Sequence, residues 1–383
     1  MVEICSSERL EAVGQWFEGN FRDRGEIGAA VSVWKDGVEV LSLAGGTLTR
    51  EGQQPWTVAT LVPVWSCTKG LAAWTCVMAL RAAGVSLERP VADVWPDFEQ
   101  AGKDAVRFID VLSHTAGLAV LDEKVSVLDH AAVVAALERQ VPLGPPGTMQ
   151  AYQARTFGFL LDEVVRRVTG EACLGAYFDQ HLRQPLGADF WIGLPEAEEA
   201  RVATLYPGRM TEALKADAFM RAFHTPGSVT QRAFQSPVGL NAVADFNRAE
   251  TWRAGYPAMG GVGSAQGLGR LYAELAAGKL DTAVFEKAVT DRLDEVICRQ
   301  VAFSAGMMKD AVAVDTGKKL RPLFGPSLRA FGHPGAGGSL AFADPEHGVA
   351  FAYVMNQMEL GVLPGEKALG LVRALYGLDD REG

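Results

Sequence analysis

Trp65-Ser66-Cys67-Thr68-Lys69-Gly70 opens an apolar-rich run, Leu71-Ala72-Ala73-Trp74-Thr75-Cys76-Val77-Met78-Ala79-Leu80-Arg81-Ala82-Ala83, with no proline or glycine before Gly84. Such a segment reads as a buried helix, so Ser66 falls at or near its N-terminus. Ser66 and Lys69 are three apart and share one helix face. A hydroxyl and an amine held together can act as nucleophile and base. The unpaired N–H groups of the first turn, with the helix dipole, favour negative charge at the same place. Taken alone, Ser-x-x-Lys equally describes a helix cap followed by a solvated lysine. The apolar run adds weight to the nucleophile–base reading, because burial disfavours the charged amine and makes it a usable base near neutral pH.

Working outward, residues 7–22 form an amphipathic pattern with Leu10, Val13, Trp16 and Phe17 on one stripe and Ser7 as N-cap. Gly28 to Leu43 holds two β-rich runs around Asp36-Gly37, a hairpin signal, so the chain starts helix, strand, strand with antiparallel pairing. That is not the start of a nucleotide-binding βαβ unit. Residues 105–112 read as a short helix running into Ser113-His114-Thr115-Ala116-Gly117-Leu118. After the loop Pro142 to Thr148, Tyr152 leads a helix with Phe157, Leu160, Leu161, Val164 and Val165 on its stripe, ending at Gly170, and a further helix covers roughly 171–182. The C-terminal third returns to strands at 301–304, 340–343 and 349–355, with a turn at Asp344-Pro345-Glu346-His347-Gly348 and a closing helix over 366–376. The expected fold is α/β (α+β), an antiparallel sheet flanked by helices with a mostly helical inserted domain. Residues 1–84 and 221–383 are assigned to the sheet-bearing domain and 85–220 to the helical one, with the site between them.

Composition narrows the function. The 383 residues are 48% hydrophobic and 21% charged, ample for a large core. The net charge of −10, without a Lys/Arg-rich tract, disfavours nucleic acid and anionic membranes as partners. No run of about 18 apolar residues reads as a spanning helix. Cysteines at 5, 67, 76, 173 and 298 are odd in number and contain no Cys-x-x-Cys pair, which suggests free thiols in a reducing compartment and no zinc site. Residues 1–8 lack the pattern of a signal peptide, so a cytoplasmic location is expected. Gly261-Val262-Gly263-Ser264-Ala265-Gln266-Gly267 partly mimics a dinucleotide loop, but the spacing differs and no apolar strand is expected before it. Close backbone packing is the preferred reading, and no cofactor or metal is expected.

A Ser–Lys pair needs a proton shuttle and an oxyanion hole. Tyr152 is a candidate shuttle, against the alternative of a core or surface tyrosine. Gly332-His333-Pro334-Gly335-Ala336-Gly337-Gly338-Ser339 is the oxyanion candidate; Pro334 has no N–H, so Gly335 or Ala336 must donate. Cys67 reads as a small buried filler next to the nucleophile. His114 either orients a triad or, the preferred reading, satisfies loop carbonyls.

Taken in order, these stretches resemble the serine β-lactamase and penicillin-binding superfamily, in its class C β-lactamase-like branch, which includes the family VIII carboxylesterases. Ser66-Cys67-Thr68-Lys69, Leu112 to Leu118, Pro146-Gly147 with Tyr152, and His333-Pro334-Gly335 carry the likeness, over about residues 10–375. The resemblance implies a Ser66 acyl-enzyme, proton transfer by Lys69 and Tyr152, and an oxyanion hole from the N–H groups of Ser66 and Ala336, the latter on the edge strand. His333, Gly335 and Trp65 would contact substrate. It leaves open whether Lys69 or Tyr152 is the base. Two departures stand out. Tyr152-Gln153-Ala154 lacks the Asn of Tyr-x-Asn, and His333 replaces the Lys of Lys-Thr-Gly. Both weaken recognition of a β-lactam and leave acyl transfer intact. The expected activity is therefore a carboxylesterase on a small ester. An amide or β-lactam hydrolase and a non-catalytic assembly-forming member are the alternatives; the oligomeric state stays open.

Overall fold

The computed structural model describes residues 4–278 and 282–378; residues 1–3, the first part of the stretch read for a leader, lie outside them. Its strands are β1 (Gly28–Lys35), β2 (Val38–Gly46), β3 (Val62–Pro63), β4 (Phe190–Trp191), β5 (Val262–Gly263), β6 (Thr290–Asp294), β7 (Arg299–Phe303), β8 (Met308–Lys309), β9 (Phe331–Pro334), β10 (Leu340–Asp344) and β11 (Val349–Met355). The helices of ten or more residues are α1 (Ser7–Asp23), α2 (Cys67–Ala82), α3 (His130–Arg139), α4 (Thr156–Thr169), α5 (Ala265–Ala276) and α6 (Glu366–Tyr376). Eight strands form one antiparallel sheet in the order β2-β1-β11-β10-β9-β8-β7-β6, and β3-β5-β4 form a small second sheet. The chain thus has the expected mix of an antiparallel sheet and flanking helices. Asp36 and Gly37 both adopt positive φ, as a tight primed hairpin turn requires.

Alternation along the strands explains the layers. Ser32, Ala352, Ala341 and His333 are register partners across four strands and so share one face. That face is lined by small residues, with Ala343 and Ala350 beside them, and α5 packs on it closely. A Cβ at Gly269 of α5 would lie 2.8 Å from Trp34 Nε1 and 3.0 Å from Ser32 Oγ. The other face carries Val33, Phe351 and Phe342, and Phe342 meets Tyr376 of α6 at 6.4 Å between ring centroids. Because both faces are covered, β11 is buried throughout and its sequence reads as one apolar run.

α2 is buried on all sides over its first eleven residues, which is why its sequence shows no polar stripe. Gly70 permits this: a Cβ there would stand 2.3 Å from the Tyr272 hydroxyl and 3.5 Å from His333 Cβ. Helix α2 therefore lies on the His333 face of the sheet, which brings Ser66 and Lys69 to the end of β9.

Several local expectations are corrected. Ser6, not Ser7, caps α1, accepting the Arg9 N–H. The helix read over 105–112 is confined to Phe108–Leu112. The segment over 171–182 breaks into Leu174–Phe178 followed by a wider-wound turn at Asp179–Arg183. Tyr152 stands in an irregular segment ahead of α4, which starts at Thr156. The short strand β5 falls inside the glycine-rich stretch 261–267 and none directly precedes it, as expected, and α5 starts at Ala265 with Ser264 as cap. The glycines there serve packing: a Cβ at Gly263 would strike the Phe190 ring at 2.3 Å, and one at Gly267 the Asp189 backbone at 2.5 Å. Strands β6, β8 and β9 went unread because short, mixed-polarity runs carry no clear period.

Gly158 tests the close packing that frames the site. A Cβ there would sit 2.5 Å from Ala258 N and 3.0 Å from Ala258 Cβ. Alanine is favoured over glycine inside a helix by about 1 kcal/mol, whereas overpacking costs about 1–3 kcal/mol. Gly158→Ala is expected to lower the urea midpoint, with a net loss of up to about 2 kcal/mol.

Candidate active site

Ser66 is the N-cap of α2, in helical backbone conformation and without a side-chain capping bond, so its hydroxyl is free for other partners. Trp65, just before it, holds φ at +50°. This left-handed residue turns the chain from the bridge with Gly260 into the helix. Such a conformation is uncommon for a bulky side chain. It is fixed by the Trp65 carbonyl, which accepts the Thr68 N–H at 3.0 Å and the Thr68 hydroxyl at 2.6 Å.

Lys69 is fully buried one turn on. Its Nζ lies 3.3 Å from Ser66 Oγ and donates to the carbonyls of Ala154 and Ala258, both at 2.8 Å. Burial, and then the nearby Arg155 cation, hold its pKa well below that of a free lysine. A neutral amine has two N–H bonds and one lone pair. With both N–H groups taken by carbonyls, the lone pair is left for the Ser66 hydroxyl. The expected desolvation of this lysine is what the structure has.

Tyr152 is buried beside the pair. Burial pushes its phenol above the usual pKa, against a smaller opposing effect of the neighbouring Ser66 hydroxyl, so it stays protonated. Lys69 Nζ stands 4.9 Å from the centre of its ring. His333 packs 6.1 Å from the same ring. Its Nδ1 bonds the Pro334 carbonyl at 2.8 Å, which requires the proton on Nδ1. Burial pushes His333 down to about 3, so it is neutral at physiological pH.

The glycine-rich segment divides its roles. Gly335 donates its N–H to Ser339 O at 2.7 Å, and a Cβ there would meet Val64 O at 2.2 Å. Gly335 is thereby committed to backbone packing. Among the described residues, neither the Ser66 nor the Ala336 N–H has an acceptor in the protein. Ala336 lies in the turn after β9, not on an edge strand, and β9 is interior, between β8 and β10. The Trp65 indole stacks on Phe246 with centroids 3.7 Å apart, forming an aromatic wall next to Ser66. Cys67 is buried, its Sγ donates to the His333 carbonyl at 3.1 Å, and burial raises its thiol pKa. It is a packing residue, as read from the sequence.

His114 departs from its reading: among the described residues its side chain satisfies no loop carbonyl. Instead Nδ1 accepts the Gln153 N–H at 3.2 Å. Three further residues gave no sequence signal. Arg155, buried, donates to the carbonyls of Pro237, Gly239 and Leu240 and to Asn241 Oδ1, and so ties the 237–241 loop to the start of α4. Ala258 contributes only a carbonyl, and Asp294 is far away in the chain. No helix among the described residues is long and apolar enough to cross a membrane.

Known proteins share this arrangement of elements. A protein named Esterase/beta-lactamase LipL, from Mycobacterium tuberculosis, is 33% identical over 92% of this chain and 82% of its own. The structure of a family VIII carboxylesterase superposes with a TM-score of 0.85 at 32% identity, covering 98% of this chain and 99% of that one. A penicillin-binding protein homologue from Caulobacter crescentus gives a TM-score of 0.82 at 32% identity over 99% of both chains. The beta-lactamase family model matches residues 14–373. With nearly the whole chain matched, this protein belongs to the beta-lactamase family.

Proposed function

We propose that this protein is a serine hydrolase that cleaves short, uncharged carboxylic esters through an acyl-enzyme on Ser66. The observation that carries the reading is the setting of Lys69, a fully buried amine 3.3 Å from Ser66 Oγ, held by two carbonyls and kept by burial well below the pKa of a free lysine, so that its neutral form can take the Ser66 proton. Ser66 Oγ attacks the ester carbonyl carbon and its proton passes to Lys69 Nζ. The oxyanion is met by the unused N–H groups of Ser66 and Ala336. The tetrahedral intermediate collapses with the alcohol leaving, and the alkoxide receives a proton through Tyr152, replenished from Lys69. Water then adds to the acyl carbon, gives a proton back through the same groups, and releases the acid and the Ser66 hydroxyl. Relatives named esterase and carboxylesterase support the reaction class.

The charges around Ser66 favour a neutral substrate. His333 is uncharged, Lys69 is deprotonated, and Arg155 is engaged by its own loop. None of them is free to grip a substrate carboxylate. Ala154 offers no side-chain amide. A β-lactam is the competing substrate, since one relative is named both esterase and beta-lactamase, and these features count against it.

Intact-protein mass spectrometry after brief mixing with p-nitrophenyl butyrate is expected to give a butyryl adduct on wild type, with steady nitrophenol release, and neither on Ser66→Ala. Loss of the nucleophile should lower kcat by at least about 10³-fold. Equal acylation of both proteins would exclude Ser66 as nucleophile, and amide or lactam turnover as fast as ester turnover would exclude the ester preference.

The pH dependence follows from Lys69. Its neutral form is the base, so kcat/KM should rise with pH through its lowered pKa and then level. Arg155 helps to lower that pKa. Arg155→Met is therefore expected to move the acid limb to higher pH, while Arg155→Lys, which keeps the charge, should leave it closer to wild type. A limb that does not move in Arg155→Met would remove the electrostatic role of Arg155.

A further inference from the structure

Tyr152 sits in a segment outside helix and strand, so neither fixes its backbone. Three successive N–H groups are instead held from distant parts of the chain. The Ala151 N–H bonds the His114 carbonyl at 3.0 Å. The Tyr152 N–H bonds Asp294 Oδ1 at 3.2 Å, and the Gln153 N–H bonds His114 Nδ1 at 3.2 Å. His114 therefore brackets Tyr152 from both sides, with its main chain before and its ring after. The His114 ring also lies against the phenol, with centroids 4.9 Å apart, and Phe303 lies 4.5 Å from His114 and 6.1 Å from Tyr152. His114 itself is held in left-handed backbone, φ +61°, which aims both acceptors at one segment.

From this geometry we infer that His114, supported by Asp294, is the positioning residue that keeps the Tyr152 phenol on Ser66. The inference rests on the reading of Tyr152 as the proton carrier of this site. His114 is not itself an acid or base there. Its Nδ1 is occupied as an acceptor, so the proton resides on Nε2. Among the described residues His114 makes no hydrogen bond to Ser66 or Lys69. Burial keeps the ring neutral, as an acceptor at Nδ1 must be. Asp294 is a firm second anchor because the same carboxylate takes the N–H groups of Val296 and Ile297 at 2.9 and 2.8 Å. The mechanical reason is leverage. The phenol oxygen lies at the far end of a long side chain, so a backbone tilt of about 10° carries it roughly 1 Å, a misplacement that can cost about 10²-fold in rate.

The test compares wild type, His114→Leu, His114→Asn, Tyr152→Phe and the double variant His114→Leu/Tyr152→Phe. One readout is kcat and KM for p-nitrophenyl butyrate; the other is hydrogen–deuterium exchange of the amides of residues 151–153. Leucine fills the space without an acceptor. Asparagine places an amide oxygen near the position of Nδ1 and tolerates left-handed backbone. In His114→Leu, kcat is expected to fall roughly 10–10²-fold with KM little changed, and amides 151–153 should exchange faster while α4 stays protected. His114→Asn should recover most of both. In the Tyr152→Phe background, His114→Leu should cost little further kcat, because its effect runs through the phenol. If it costs the same factor there, or if exchange quickens evenly across the fold, His114 is a packing residue and the inference falls. Should the leucine variant not fold, His114→Ala, which also removes the acceptor, takes its place with the same expectations. A wild type that does not turn over the ester removes the hydrolase reading, and the exchange comparison alone then decides whether the His114 ring holds the Tyr152 segment.

Discussion

A primary amine taken out of water without a counter-ion must either bring solvent with it or give up its proton. Lys69 is in that position: burial dominates its ionisation, the next influence is a cation, Arg155, and no carboxylate among the described residues offsets either. Holding the ammonium form there would cost several kcal/mol. The neutral amine still has two N–H bonds to satisfy, and the carbonyls of Ala154 and Ala258 satisfy them. One of these follows Tyr152 in the chain, and the other belongs to the loop against which Gly158 packs. The amine thus ties α2, the tyrosine segment and the 257–260 loop together at the point where its lone pair meets Ser66.

That convergence depends on how closely the layers approach. The face of the large sheet under α2 and α5 is built from Ser32, Ala341, Ala343, Ala350 and Ala352, with His333 at its end, while bulky residues fill the opposite face. Gly70 and Gly269 remove the remaining obstruction from the two helices. Neither gives the polypeptide special torsional freedom; each is small where two surfaces meet. The chemistry at Ser66 is therefore linked to packing well away from it.

The Tyr152 segment shows the complementary device. A residue outside regular structure has no ladder to hold it, so its amides need acceptors from elsewhere, and His114 and Asp294 supply them. Irregular backbone fixed in this way can present a side chain in a direction that a helix or strand would not allow.

The amino-acid pattern by itself determined the helix that follows Ser66, the hairpin at Asp36-Gly37, the closing helix over 366–376 and the serine–lysine pairing. Each is a local property, set by the spacing of apolar residues and by turn chemistry within a few positions. It also announced that Lys69 would lose water, because the apolar run after it is continuous. What it did not contain was the set of partners. Ala258 and Asp294 enter through a carbonyl and a carboxylate that lie far along the chain, and neither residue type at those positions signals a role. The pattern over 171–182 predicts one helix because its wider turn leaves no mark in the period. His114 was read as serving nearby carbonyls, and only the tertiary fold, by bringing residues 151–153 against it, gave the ring a distant amide to accept. Spacing encodes which face a side chain takes; it carries no information about which remote backbone groups will meet that face once the layers close.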